Sequence, residues 1–115
     1  MKNQKTKFIY ISSIASLKFR EKNFIYGYSK YLLESNIQKL TNNYLILKFG
    51  LINTKMSKNH SKPPFSLEKE DAAKIISNNL NNSGLLYPTN GLIFIKNIFR
   101  FIPVKLIDLT EKFLN

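Results

Sequence analysis

Short apolar runs rich in β-branched and aromatic residues alternate along this chain with longer segments whose apolar residues recur at helical spacing. Phe8-Ile-Tyr-Ile-Ser12 reads as a strand buried on both faces of a parallel sheet, where no polar alternation is required. Residues 14–23 have no sustained period and carry Lys18, Arg20, Glu21 and Lys22, which predicts a loop. Over 24–40 the spacing predicts a helix with Tyr26, Lys30, Leu33, Ile37 and Leu40 on one stripe, Asn23 as its cap and Thr41-Asn-Asn as its stop. Tyr44-Leu-Ile-Leu-Lys-Phe49 is a second buried strand, ending at Gly50. Strand, helix and strand in this order predict a βαβ unit with a right-handed crossover.

The next stretch, 51–65, reads as a long polar loop, and Lys62-Pro-Pro keeps that part extended. Ser66 stands ahead of Glu68, Glu70 and Asp71, three acids suited to a first helical turn, so a helix is predicted over 67–80. Its apolar side would be Ala72, Ala73, Ile75, Ile76 and Leu80, with Asn81-Asn-Ser-Gly84 as the stop. Leu85-Leu-Tyr-Pro88 is a third, short strand, and Pro88 assigns it to a sheet edge or a strand end. An aromatic-rich helix over 92–101 is broken before Pro103, and a last helix covers 104–114. The expected architecture is α/β: one domain over 1–115, with three parallel strands and flanking helices.

Composition narrows the partners. The chain has 115 residues and no cysteine, which excludes disulfides and thiolate metal sites, and its single histidine, His60, lies in the polar loop, so no histidine metal cluster can form. No signal peptide or membrane span is visible, and a cytoplasmic protein is the expectation. The net charge of +11 would suit a polyanion partner. Yet sixteen of the eighteen basic residues are Lys, and Asn and Ile number fourteen each, a pattern that AT-rich coding also produces. The basic residues are dispersed, which argues against nucleic acid. Lys96 and Arg100, set among Ile93, Phe94, Ile95, Ile98 and Phe99, allow three readings of that helix: a membrane-surface contact, a packed helix, or a lid on a substrate pocket.

One constellation carries chemistry. Positions i and i+4 of a helix share a face, so Tyr26 and Lys30 can present a phenol and an ammonium to one site. A nearby cation favours a phenolate and brings a phenol into range for general acid–base catalysis. Ser12 and Ser13 close the preceding strand, where a hydroxyl can hydrogen-bond a substrate oxygen. A hydroxyl, a phenol and an ammonium are the protein groups that carbonyl reduction requires.

These residues resemble the carboxy-terminal half of a short-chain dehydrogenase/reductase, a family of NAD(P)-dependent oxidoreductases on a Rossmann fold. In that family a strand ending in Ser-Ser is followed, thirteen residues after the second serine, by the catalytic tyrosine, and Ser13 and Tyr26 have that spacing. The Tyr-x-x-Ser-Lys form recurs as Tyr26-Gly-Tyr-Ser29-Lys30, and the family's post-strand motif as Phe49-Gly50-Leu-Ile52-Asn-Thr54-Lys-Met56, with Phe49 in place of the usual proline. The resemblance implies that Tyr26 donates or accepts the proton, that Lys30 supports it and binds the nicotinamide ribose, and that Ser13 orients the substrate oxygen. It further implies a cofactor, NAD or NADP, contacted by Tyr26, Lys30, Gly50, Ile52 and Thr54, and a homo-oligomer through the helix over 24–40. Phe19-Arg-Glu-Lys-Asn-Phe-Ile-Tyr-Gly-Tyr-Ser-Lys and Arg100-Phe-Ile-Pro103 look most like the reductases acting on decaprenylphosphoryl 2-ketopentose, which implies a lipid-linked sugar as substrate.

The other half of such an enzyme is not written here. A dinucleotide fold needs a glycine-rich turn after its first strand, whereas Gly27, Gly50, Gly84 and Gly91 are scattered. The family's Asn-Asn-Ala-Gly segment and catalytic asparagine are also missing. The expectation is therefore the carboxy-terminal half of a doubly wound parallel sheet, a truncated or split chain inactive alone, with an edge at 8–12 open to another chain. The competing expectation is a non-catalytic basic module that binds a membrane surface or a partner chain.

Overall fold

The computed structural model describes residues 6–19, 24–53, 66–103, 105–106 and 109. Three strands, β1 (Phe8–Ser13), β2 (Tyr44–Phe49) and the short Gly84–Leu86, form one sheet with β2 in the centre. Every pairing is parallel: Phe8↔Tyr44 to Ser13↔Phe49 on one side of β2, and Leu45↔Gly84 to Leu47↔Leu86 on the other. The fold is α/β with a small parallel sheet, as the alternating pattern predicted, and it is compatible with a Rossmann-like arrangement.

The prediction of a strand buried on both faces holds for β2, whose residues Leu45 to Phe49 are all buried, and not for β1. β1 is an edge strand in which Ser12 alone is buried and Ile9 is exposed. Alternation along the strands sends the odd-numbered residues Ile11, Leu45, Leu47 and Phe49 to one face. There they pack with Leu86 and with Ala72, Ile75 and Ile76 of α2 (Lys69–Asn78). The opposite face, with Tyr10, Ser12 and Lys48, lies under α1 (Phe24–Leu40).

Between β2 and α2 the chain forms a second, two-residue parallel ladder, β3 (Ile52–Asn53) with β4 (Leu67–Glu68). Leu67 N–H donates to Leu51 O at 3.0 Å, and Asn53 Nδ2 donates to Glu68 Oε1 at 2.8 Å. This ladder corrects the predicted helix start at Leu67. Leu67 and Glu68 are held extended, so α2 begins at Lys69 and its N-cap is Glu68, not Ser66. The helix also ends early, at Asn78, before Leu80, and both Leu80 and the mid-helix Ala73 are exposed instead of on the apolar side.

After α2, Gly84 takes φ = 97°, a left-handed value that other residues rarely adopt, and leads into the strand Gly84–Leu86, here β5. That strand lies at the sheet edge and ends before Pro88, which has no N–H for the ladder. Thr89 then caps α3 (Asn90–Phe101), its Oγ1 accepting from Leu92 N–H at 3.2 Å, so the helix starts two residues before the predicted 92. Of the predicted last helix, Lys105, Leu106 and Leu109 are helical, and the other residues of 104–114 lie outside the described set.

The residues between β1 and α1 are not all loop. Ile14–Ser16 form a 3₁₀ turn, η1, while Arg20 and Asn23 lie outside the described residues. α1 sits on η1 through Gly27, where a Cβ would collide with the carbonyl oxygen of Ala15 and stand 3.1 Å from its carbonyl carbon. The buried stripe of α1 is consequently not the predicted one. Gly27 and Glu34 are the buried residues, with Lys30 and Ile37 partly covered, whereas Tyr26, Leu33 and Leu40 are about half exposed. Because two backbones meet at position 27, neither can yield cheaply. Gly27→Ala is expected to lower stability by about 1–3 kcal/mol, read as a lower urea midpoint at unchanged slope.

Candidate active site at the carboxyl edge of the sheet

Parallel strands bring their carboxyl ends to one edge, and there the structure gathers Ser13, Phe49 with Gly50, and Tyr87. Ser13 ends β1 and caps η1: its Oγ accepts from Ala15 N–H at 3.1 Å, and its carbonyl oxygen accepts from Ser16 Oγ at 2.9 Å. The hydroxyl proton of Ser13 has no acceptor among the described residues. Tyr26 lies in the first turn of α1, 50% exposed, with its ring reachable from solvent. Lys30, one turn on, holds its ammonium 5.6 Å from the Tyr26 ring centroid and 5.0 Å from that of Tyr10, and donates to Ile11 O at 3.4 Å. Tyr26 and Lys30 are thus brought together, while no hydrogen bond joins either of them to Ser13 among the described residues.

Gly50 and Ile52 follow β2, and Thr54 lies outside the described residues, as do Met56 and His60. A Cβ at Gly50 would stand 3.2 Å from Leu92 Cδ2 and 3.7 Å from Ile14 Cδ1, so the glycine admits the side chains of η1 and α3. The described residues do not fit a whole dinucleotide. No strand among them leads into a glycine-rich turn of the kind that receives a pyrophosphate. Nor do they contain a group of three or more His, Cys, Asp or Glu able to hold a metal ion.

A second polar cluster lies beside this site, joining residues that stand far apart in the sequence. Glu34, on the sheet side of α1, accepts from Ser12 Oγ and pairs with Lys48 Nζ at 3.1 Å through its other oxygen. Ser16 Oγ shares its proton between Ser13 O and Glu34 Oε1, the latter at 3.1 Å. Both charged side chains are almost fully buried. Lys48 also lies over the Tyr87 ring, 5.9 Å from its centroid, and Lys96 of α3 lies over the same ring at 5.0 Å. Burial, and next the negative charge of Glu34, push the Tyr87 phenol above the ordinary tyrosine value. One signal could have found this cluster: Lys48 interrupts an otherwise apolar central strand, and a lysine buried there requires a carboxylate partner.

No family model, curated protein or solved structure matches the chain. Among the described residues no helix is long and apolar enough to cross a membrane.

Two outcomes follow from the cluster. Glu34→Ala leaves the Lys48 ammonium buried without its partner and should cost about 3–5 kcal/mol, whereas Glu34→Leu/Lys48→Met removes both charges and should recover most of that loss in urea unfolding. The raised Tyr87 value means that the unfolded chain ionises this phenol first. Its contribution to stability is present below the ordinary tyrosine value of about 10 and is lost as pH rises through the higher folded value. The phenolate absorbance of the wild type minus that of Tyr87→Phe should titrate above pH 10, and Glu34→Gln should move it down.

Proposed function

We propose that this chain carries the proton-transfer groups of an oxidoreductase of the short-chain dehydrogenase/reductase type, acting on a carbonyl or a secondary alcohol. The observation that carries the reading is the Lys30 ammonium beside the Tyr26 ring, on an α1 whose first turns pack against the turn that follows Ser13. Tyr26 would give a proton to a carbonyl oxygen during reduction, or take one from an alcohol during oxidation. Lys30 would stabilise the phenolate that remains. Ser13 Oγ accepts from Ala15 N–H, and its O–H would donate to the same substrate oxygen.

In this reading the chain is the catalytic half of a Rossmann-like sheet. NAD or NADP would need a further segment bearing a glycine-rich turn, since no strand among the described residues leads into one. Among the described residues β1 has a partner strand on one side only, which supports such an addition, because a further parallel strand can pair there. A lipid-linked sugar remains the substrate class suggested by the resemblance, and the cytoplasm the suggested compartment.

A second reading, a basic module that lies on an anionic membrane surface, is supported by α3, where exposed Ile93, Phe94 and Phe101 accompany Lys96 and Arg100. It requires co-sedimentation with anionic vesicles at low salt, and a chain that stays in the supernatant removes it. For the enzyme reading, the chain reconstituted with a glycine-rich nucleotide-binding half should reduce a carbonyl substrate. Tyr26→Phe should then lower turnover by roughly a hundredfold or more, with the fold unchanged by circular dichroism. Full turnover in that variant would refute the assigned proton donor.

A further inference from the structure

A cavity of about 360 Å³ opens between the segment after η1 and α3, lined by Leu17, Lys18, Tyr87, Lys96, Phe99 and Arg100. The space is half open to solvent, so a ligand seated here would keep one side in water. Its lining follows the carboxyl ends of β1 and β5, the edge at which parallel α/β sheets take their ligands.

Three of the six lining residues are cations, none is an acid, and none of the three cations has an ion-pair partner among the described residues. The carboxylate behind Tyr87, Glu34, is already taken by Lys48. Lys96 and Arg100 stand four residues apart on one side of α3, an arrangement in which like charges repel. The Lys96 ammonium lies over the Tyr87 ring, 5.0 Å from its centroid, and the attraction of the ring face favours that placement. Phe99, Leu17 and the Tyr87 ring supply apolar walls that a bare inorganic ion would leave in contact with water.

We infer that this cavity binds a small organic anion, a phosphate or carboxylate group carried on an aromatic or aliphatic body. The anionic group lies among Lys18, Lys96 and Arg100, and the body lies against Phe99 and Leu17. The guanidinium of Arg100 can take two oxygens at once, while the lysines act as point charges. This site stands independently of whether Tyr26 transfers a proton.

Calorimetric titration of the full 115-residue chain with naphthyl phosphate, inorganic phosphate and naphthol tests the inference. Naphthyl phosphate should bind at least about tenfold more tightly than either half alone, and Lys96→Gln and Arg100→Gln should each weaken it by about tenfold. Phe99→Ala should weaken naphthyl phosphate and leave inorganic phosphate unchanged. Lys39→Gln, in the last turn of α1 and outside the cavity, should change nothing. Equal affinity for naphthyl phosphate and inorganic phosphate, or a Lys39→Gln loss as large as that of Lys96→Gln, overturns the site in favour of general attraction to a chain of net charge +11. Should Lys96→Gln unfold the chain, Arg100→Gln, at an exposed position, carries the test. Competition by vesicles containing phosphatidic acid would identify a lipid headgroup as the source of the anion, and its absence a soluble one. Either result supports the site.

Discussion

The carboxylate of Glu34 joins four elements in a space from which water is almost excluded. It reaches from α1 to Ser12 of β1, to Ser16 of η1 and to Lys48 of β2, and each contact answers part of the cost of burying its charge. A buried charge tolerates little displacement, because any partner that moves away leaves an uncompensated group behind. α1 is therefore held at one height and rotation over the sheet, and Gly27 is the residue small enough to let it seat there against Ala15. The orientation of Tyr26 and Lys30 follows from this seating, since Lys30 lies about one turn and Tyr26 a little over two turns from Glu34 on the same helix.

The two faces of the sheet do different work. Under α2 the contact is apolar, with Leu45, Leu47, Phe49 and Ala72 as its buried centre, and it supplies the water-excluding term that a small domain depends on. Under α1 the contact is polar at the carboxyl end of the strands, where Ser12 and Lys48 stand side by side in register. Strand alternation separates the two environments without any further device, because neighbouring residues of β2 point to opposite faces. The candidate site groups then gather where the polar face meets the strand ends, with Ser13, Tyr87 and the cationic cavity all at that edge.

Much of this was legible in the chain. The extents of α1 and β2 match their periodicity, because a long helical spacing and a continuous apolar run leave few alternatives. The Tyr26 and Lys30 pairing was legible for the same reason: a four-residue spacing on a helix is already a statement about geometry. What misled was the assumption that the apolar stripe of α1 faces the sheet. The side turned inward carries Gly27, Lys30 and Glu34, and its polar groups are accommodated by partners far away in sequence. The start of α2 is not legible on similar grounds, since nothing near Leu67 announces that it will pair with the segment at Ile52.

Consecutive residues set the α/β alternation, the extents of the main helix and the central strand, and the local spacing that brings a phenol near an ammonium. These depend on backbone periodicity and near-neighbour contacts, which are properties of consecutive residues. Tertiary structure alone decided which side of α1 is buried, that Glu34 and Lys48 form a pair, that Leu92 closes over Gly50, and that Lys18, Lys96 and Arg100 line one cavity. Each of these joins residues from separate elements, and the energy of such a contact is set by burial and distance in space. Neither quantity exists until the strands have paired.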